Sequence, residues 1–262
     1  MDFNLDGKGV AISGGSKGIG RACGFAFARH GADVALAART EADLQRTCAD
    51  IAEATGRKAV GIQSDLTDPD QVKRFIDRAA EALGRLDVIV NCAGSAPAGD
   101  FLTLPDEAWI QAFTLKFMGA VRASRAAIPY FRKVGGGVVV NIAGGAGKEP
   151  SMPMMTSGFN NASMMNFTKA LAQGYGKENI RAVVISPGLV NTGRFLTLRK
   201  STAELQGIDE LEADRRMRAN VPLGRIAEPE DIANVVVFVA SNAGRHLTGV
   251  EISVDGGTRK GL

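Results

Sequence analysis

The sequence predicts a single α/β domain of the doubly wound type, in which helices cover both faces of a parallel sheet. Short apolar runs rich in Val and Ile alternate with longer segments of helical periodicity. The runs mostly lack polar alternation, which is typical of strands buried on both faces. Repeated β-α-β units with short connections produce a parallel sheet. The seven predicted strands are Gly9–Ser13, Val34–Ala38, Ala59–Gln63, Val88–Asn91, Val138–Ile142, Ala182–Ser186 and Glu251–Val254.

Amphipathic segments fill the intervals after the first three strands. Arg21–His30 follows the first strand, and Glu41–Ala54 and Pro69–Leu83 follow the next two. Thr40 and Asp68, which directly precede the last two segments, are residue types that commonly cap helix N-termini. We therefore expect helices at these three places.

A charged segment at about residues 192–221 separates the sixth strand from the helix that is expected after Pro229. It predicts a lid-like insertion on one domain spanning residues 1–262, rather than a second domain. Its charged residues are Arg194, Arg199, Lys200, Glu204, Asp209, Glu210, Glu212, Asp214, Arg215, Arg216 and Arg218.

The charge and composition of the chain exclude several functions. Its 31 basic and 28 acidic residues leave a net charge of +3, too small to indicate binding to nucleic acid or to a membrane surface. The three scattered cysteines and two histidines form no disulfide framework and no metal-ligand motif. The N-terminus lacks the features of a signal peptide, and no apolar run reaches the roughly 18 residues of a membrane span. We therefore expect a cytoplasmic protein without a metal.

A glycine-rich turn joins the first strand to its helix, in the sequence Ser13-Gly14-Gly15-Ser16-Lys17-Gly18-Ile19-Gly20. Glycines permit a tight turn and let backbone N–H groups approach a pyrophosphate at the positive end of the helix. Such a motif alone also occurs in ordinary loops. Here the strand before it and the helix after it are the context that a Rossmann-type dinucleotide site requires.

The end of the second strand favours NADP(H) over NAD(H). An NAD site would place Asp or Glu there to accept hydrogen bonds from the ribose hydroxyls, but this chain has Ala38 followed by Arg39. Lys17 in the glycine turn adds a second cation, and two cations suit a 2′-phosphate. The alternative is that Arg39 merely ends the strand in solvent.

Further motifs follow in order along the chain. Asp65, after the third strand, matches the acid that contacts the adenine ring in the short-chain dehydrogenase/reductase family. Asn91-Cys92-Ala93-Gly94 is similar to the NNAG turn of the same family. Ser186-Pro187-Gly188 with Thr192 resembles a segment that lines the nicotinamide. Leu223–Ala233 resembles an LGRxxxPxxIA run, and Asp255-Gly256-Gly257 resembles a closing turn. With these motifs the chain resembles the short-chain dehydrogenase/reductase family, in particular members of the 3-oxoacyl-[acyl-carrier-protein] reductase type.

The resemblance implies strand order 3-2-1-4-5-6-7, NADP(H), a homotetramer, and a small-molecule carbonyl or hydroxyl substrate of apolar or acyl type. Helices Asp106–Phe131 and Ser157–Tyr175 would pair between subunits, through buried faces that include Ala112, Leu115, Met164, Phe167 and Leu171. The implied cofactor-binding residues are Gly14, Ser16, Lys17, Gly18, Ile19, Gly20, Arg39, Asp65, Leu66, Asn91, Ala93, Gly94, Asn161, Pro187, Gly188, Val190 and Thr192.

The family's Asn–Ser–Tyr–Lys catalytic set is missing. Its tyrosine and lysine lie four residues apart, so that both face the cofactor, but this sequence contains no Tyr-x-x-x-Lys. Phe167-Thr168-Lys169 resembles the stretch that follows the lysine, and this alignment places Ser157 at the tyrosine position and Asn161 at the lysine position. Gly144 and Lys116 then occupy the serine and asparagine positions.

These replacements predict that tyrosine-driven hydride transfer is crippled or absent. A serine hydroxyl is a far weaker acid than a phenol and reaches less far, and an asparagine supplies no charge. Lys116 is the new charge: either its ammonium fills the space beside Asn161, where it could hold the ribose or act as the acid, or it points to solvent. Met152, Met154 and Met155 either wall the pocket or simply pack, and Cys92 is expected to be a small buried residue.

Two hypotheses follow for the function of the chain. One is an NADP(H)-dependent oxidoreductase with an altered acid, Lys116 or water. The other is a cofactor-binding pseudo-enzyme that acts as a partner subunit or a redox sensor.

Overall fold

The computed structural model describes residues 3–94 and 97–261, and across these residues it contains one seven-stranded parallel sheet. The order β3-β2-β1-β4-β5-β6-β7 confirms the order that the family resemblance implies. Met1 and Asp2, where the sequence analysis looked for a signal peptide, lie outside the described residues. The strands are β1 Gly9–Ser13, β2 Asp33–Ala38, β3 Ala59–Gln63, β4 Val88–Asn91, β5 Gly137–Ile142, β6 Ile180–Pro187 and β7 Val250–Val254.

The strand register brings polar residues together at the carboxyl edge of the sheet. Ser13 at the end of β1 is paired with Asn91 at the end of β4, and Asn91 is paired with Asn141 of β5. The chain order reverses between β1 and β4, and in open α/β sheets ligands bind at the carboxyl edge of such a reversal. The fold therefore places the candidate site beside these three residues.

The helices confirm the predicted alternation and correct several of its boundaries. The first helix begins at Gly18 rather than Arg21, and the segment predicted as one helix over Asp106–Phe131 is interrupted by a π-helical turn, Thr114–Met118. Single π turns inside helices occur often at functional sites, because they redirect side chains. The helices are α1 Gly18–Arg29, α2 Glu41–Thr55, α3 Pro69–Leu83, α4 Asp106–Phe113, α5 Gly119–Lys133, α6 Met155–Tyr175, α7 Gly193–Gln206, α8 Glu210–Ala219 and α9 Pro229–Ala240.

Both predicted capping residues occupy N-cap positions, and one of them forms side-chain hydrogen bonds to the helix. The Asp68 carboxylate accepts hydrogen bonds from the backbone N–H groups of Asp70 and Gln71, which satisfies donors that the first turn of α3 leaves unpaired. Thr40 occupies the N-cap position of α2 as expected, but its side chain makes no capping hydrogen bond within the described chain.

Apolar side chains cover both faces of the sheet, as the fold class requires. On one face Phe27 of α1 and Val236 of α9 pack against the sheet, and on the other Phe75 of α3 and Phe131 of α5 do so. All four side chains are fully or almost fully buried. Each is expected to stabilise the fold by about 1.5–3 kcal/mol through burial of apolar surface.

The charged segment at 192–221 forms two helices, α7 and α8, over its own small core of Phe195, Val221 and Ile226. Arg199 of α7 forms ion pairs with Glu210 and Asp214 of α8. Further ion pairs lie within α8, so part of the high charge of this segment is explained by pairing between and within its two helices. Its action as a lid remains a prediction.

Two residues assigned to the subunit-pairing faces are already buried inside the chain. Ala112 and Met164 expose 3% and 1% of their surface, so they have almost no area left for a second subunit, and this part of the prediction is wrong. The same helices instead expose Ile110 (63%) and Phe159 (51%). In the described chain, no helix is long and apolar enough to cross a bilayer.

Candidate active site

The glycine turn is built so closely that side chains would not fit at several of its positions. A Cβ atom on Gly20 would lie 2.2 Å from the carbonyl oxygen of Gly14, and one on Gly14 would lie 3.0 Å from the backbone of Ala93. A Cβ on Gly18 would lie 3.1 Å from the Thr192 methyl group. The turn therefore meets both the β4 turn and the segment after β6, as a dinucleotide cradle requires.

The N-terminus of α1 has the features of a phosphate site. Its N-cap residue, Lys17, makes no side-chain capping bond within the described residues, and the first turn contains no acid. Backbone N–H groups there remain available to an anion, in the positive end of the helix dipole. Beside them, the Ser13 hydroxyl accepts hydrogen bonds from the N–H groups of Cys92 and Ala93, which fixes the β4 turn against the cradle. These residues fit a nicotinamide dinucleotide.

The cations predicted to select NADP(H) lie at the exposed end of this cradle. Arg39 is exposed after β2, and Lys17 is 72% exposed while its ammonium lies 2.7 Å from the Asp43 carboxylate. Arg46 contacts the same carboxylate, and the two cations lower the pKa of Asp43, with the hydrogen bond from Lys17 as the largest cause. Asp43 was not among the predicted site residues, and it lies five positions beyond the strand end where an acid would mark an NAD site.

Three other predicted cofactor residues have side chains that are already engaged. The Asp65 carboxylate accepts hydrogen bonds from the N–H and hydroxyl of Thr67. The Leu66 side chain is buried in the core, and the Asn91 amide donates to Asn141 beneath the sheet edge. Leu66 and Asn91 are therefore expected to meet a cofactor with their backbone atoms.

A buried polar network, which was not predicted from the sequence, supports the floor of the site. The Asn91 side-chain amide of β4 donates to the side-chain amide oxygen of Asn141 at 2.8 Å and to the Ser124 hydroxyl at 3.3 Å. Asn141 of β5 donates in turn to the Thr168 hydroxyl of α6 at 2.8 Å. The network thus ties β4, β5, α5 and α6 together. The signal for this network in the sequence is a polar residue near the end of each of these apolar strand runs.

A cavity of about 330 Å³ lies at the carboxyl edge of β4, β5 and β6. It brings together about half of the predicted site residues, including all four positions of the altered catalytic set, and it includes Met154, one of the three methionines considered for its wall. The insertion contributes Arg194, Phe195 and Leu198, which sequence reasoning did not assign to the site. Its described lining residues are Ile19, Cys92, Gly94, Lys116, Ile142, Ala143, Gly144, Gly145, Ala146, Met154, Ser157, Asn161, Pro187, Gly188, Leu189, Val190, Thr192, Arg194, Phe195 and Leu198.

The Lys116 side chain points into this cavity and contacts Asn161. Its ammonium donates to the Asn161 amide oxygen at 2.6 Å and to the Ala143 carbonyl oxygen at 3.2 Å. Lys116 lies on the π-helical turn, and its side-chain carbons pass so close to Gly94 that a Cβ there would lie 3.0 Å away. Gly144 is equally constrained, because its Cβ would lie 3.0 Å from the Asn161 amide nitrogen. Of the two orientations considered for Lys116, the structure shows the one beside Asn161.

The environment of Lys116 makes it a stronger acid than an ordinary lysine. Burial of the ammonium, and next the positive charge of Arg194, lower the pKa of Lys116 to about 8. The neighbouring Cys92 thiol shows the opposite effect, because burial raises its pKa to about 12 and keeps it protonated. Lys116 is therefore a group that can exchange a proton near neutral pH. Within the described residues, no cluster of His, Cys, Asp or Glu could hold a metal ion.

Comparisons with known proteins match almost the whole chain. A family model described as enoyl-(acyl carrier protein) reductase matches residues 14–259. L-rhamnose 1-dehydrogenase (NAD(P)⁺) from Sphingomonas sp. is 33% identical over 97% of this chain and 96% of its own. 2,3-Dihydro-2,3-dihydroxybenzoate dehydrogenase from Escherichia coli is 33% identical over the full length of both chains.

A solved structure shows the same architecture. L-sorbose reductase from Gluconobacter frateurii, complexed with NADPH and L-sorbose, superposes with a TM-score of 0.94 at 31% identity over 100% of both chains. The chain belongs to the short-chain dehydrogenase/reductase family and is an oxidoreductase by family membership.

Proposed function

We propose that the protein is an NADP(H)-dependent oxidoreductase that interconverts a small carbonyl compound and its alcohol, with Lys116 as the proton donor. The observation that carries this proposal is the 2.6 Å hydrogen bond from the Lys116 ammonium to Asn161 inside the cavity. It places an acidic ammonium among the positions where the family has its catalytic set.

The cofactor and the residues of the chain would have separate roles in the reaction. The bound cofactor would supply a hydride to the carbonyl carbon of the substrate. The Lys116 ammonium has three N–H donors, of which Asn161 and Ala143 accept two, so the third can donate to the carbonyl oxygen and transfer its proton there. The Ser157 hydroxyl, also on the cavity wall, can donate a further hydrogen bond to that oxygen.

The position of the α7–α8 insertion supports a role for this helix pair in closing the site. Phe195 and Leu198 of α7 already line the cavity, so a small movement of this helix pair would change access to it. We infer that residues 192–221 act as a lid on a single domain and exclude water during proton transfer.

The rival hypothesis, a cofactor-binding protein without turnover, is favoured by the absence of the tyrosine phenol from the site. The deciding experiment follows NADPH oxidation by the native protein over a broad panel of ketones and aldehydes. Turnover that depends on Lys116 supports the enzyme, whereas NADPH binding without any turnover supports the rival.

Cofactor preference follows from the cations at the outer end of the cradle. Because the exposed Lys17–Asp43 ion pair is weak, a 2′-phosphate dianion can recruit Lys17 together with Arg39. NADPH is expected to bind at least tenfold more tightly than NADH, equivalent to about 1.4 kcal/mol. Titration calorimetry with both cofactors measures this ratio, and Arg39→Ala should reduce it. Equal affinities in the native protein contradict the assignment.

The exposed apolar residues of α4 and α6 support assembly into a homotetramer. Ile110 and Phe159 expose more than half of their surface, and Phe159 packs against Phe113, which in turn stacks on Phe117. A second subunit would bury this cluster. Multi-angle light scattering is expected to give about four times the 27.5 kDa chain mass. Phe159→Glu should shift the mass downward, and a native monomer would refute the proposal.

A further inference from the structure

The cavity has an unusual balance of charge. Lys116 and Arg194 both line it, and none of its described lining residues is acidic. Within those residues, the hydrogen-bond acceptors of the Lys116 ammonium are neutral oxygens, those of Asn161 and Ala143. The ammonium is thus held without a carboxylate, in a cavity that a second cation also faces.

The two cations occupy different places in the cavity. Lys116 is partly buried at its base, beside Ala143 and Asn161, whereas Arg194 is exposed while still lining the cavity, which places it at the opening. They lie close enough for the charge of Arg194 to lower the pKa of Lys116. An anion between them would relieve this repulsion and gain charge-assisted hydrogen bonds.

Much of the remaining lining is apolar, and Ser157 and Thr192 add two hydroxyl groups to it. Met154, Leu189, Phe195 and Leu198 offer hydrocarbon surface and no side-chain donors or acceptors suited to a polyol. At about 330 Å³ the cavity is at the lower end of the size range for ligand sites, so its substrate must be small.

We infer that the substrate is a small oxo acid with an apolar chain, whose carboxylate pairs with Arg194 at the opening and whose carbonyl oxygen lies beside Lys116. This inference rests on the proposed function, since it assigns the substrate class of the same site. It differs from L-rhamnose and L-sorbose, the neutral sugars named for two of the related proteins above, whereas the 2,3-dihydro-2,3-dihydroxybenzoate named for the third is also a carboxylate.

The test compares 3-oxohexanoate with its neutral methyl ester on the NADP⁺-loaded native protein, by titration calorimetry. The acid is expected to bind at least about tenfold more tightly than the ester, because only the acid can pair with Arg194. In Arg194→Gln the affinities for the acid and the ester should differ by no more than about twofold. The control variant Arg215→Gln removes an exposed arginine of α8 that is paired with Glu212, and it should leave the native ratio unchanged. In turnover, Arg194→Gln should raise KM for the acid more than KM for the ester.

Several results would overturn the inference. They are equal binding of acid and ester, tighter binding of L-sorbose than of the acid, and an acid preference that survives Arg194→Gln. A tenfold loss of NADPH affinity in Arg194→Gln, with the acid preference intact, would assign Arg194 to the cofactor instead. Because binding is measured without turnover, a carboxylate preference in an inert protein would uphold the inference while the proposed reaction fails.

Discussion

Restoring all four family residues is expected to create a carbonyl reductase of the ordinary tyrosine-dependent kind. The combined variant Lys116→Asn, Gly144→Ser, Ser157→Tyr and Asn161→Lys should reduce ketones with NADPH about 10²–10⁴-fold faster than the native chain on the same compounds. The reason is that a phenol beside a lysine four residues later has a lowered pKa and can reach the carbonyl oxygen.

The structure indicates why the four changes must be made together. A Cβ at Gly144 would lie 3.0 Å from the Asn161 amide, so serine at 144 needs a different neighbour at 161. A lysine at 161 would meet the Lys116 ammonium, which now lies 2.6 Å from the Asn161 oxygen, unless Lys116 is also replaced. The backbone at Gly144 is extended, with φ at 162°, and therefore accepts a side chain. Ser157 lies on the wall of the cavity, which gives a tyrosine ring space.

Steady-state NADPH oxidation on a ketone panel measures the gain. The matched control carries the other three changes but keeps Ser157, and it should be inactive because it has neither the phenol nor the Lys116 ammonium. Circular dichroism and NADPH titration establish that each variant folds and binds the cofactor. A fourfold variant that passes both checks yet reduces nothing would show that the scaffold itself is not competent.

The sheet and the cofactor cradle could be predicted because their signals are local. β1 and β3 occupy the residues predicted from apolar runs, since strands buried on both faces require such runs. The glycine turn works through contiguous residues, and Gly20 packs against Gly14 only six positions away. The strand order needed the family resemblance, because apolar runs alone do not reveal which strands pair.

The chemistry of the site could be predicted only in part, because it depends on contacts between distant residues. Lys116 and Asn161 lie 45 positions apart, and their contact depends on the π-helical turn and on the space left by Gly94. Neither feature follows from helical periodicity, which predicts an unbroken helix there. Arg194 was visible in the sequence as part of a charged segment, but its position at the cavity requires the fold of α7.

Removing the Lys116 amine is expected to abolish turnover of the native protein, with a loss of about 10²–10⁴-fold in kcat/KM for carbonyl reduction. Lys116→Met keeps a flexible chain of similar length but has no proton to donate. NADPH affinity should change little, since the phosphate-binding N–H groups lie at the N-terminus of α1. Lys169→Met, which removes an exposed lysine from α6, is the matched control and should retain native activity.

The pH profile distinguishes proton donation from a purely structural role of Lys116. With its pKa lowered to about 8, the ammonium is the dominant form below pH 8 and is lost as the pH rises through that value. The kcat/KM for reduction should therefore be constant below pH 8 and fall about tenfold per pH unit above it. In Lys116→Arg, whose guanidinium stays protonated, the residual rate should be low and should lose this inflection. A native profile that is flat between pH 6 and 10, or one whose inflection survives in Lys116→Met, would exclude Lys116 as the acid.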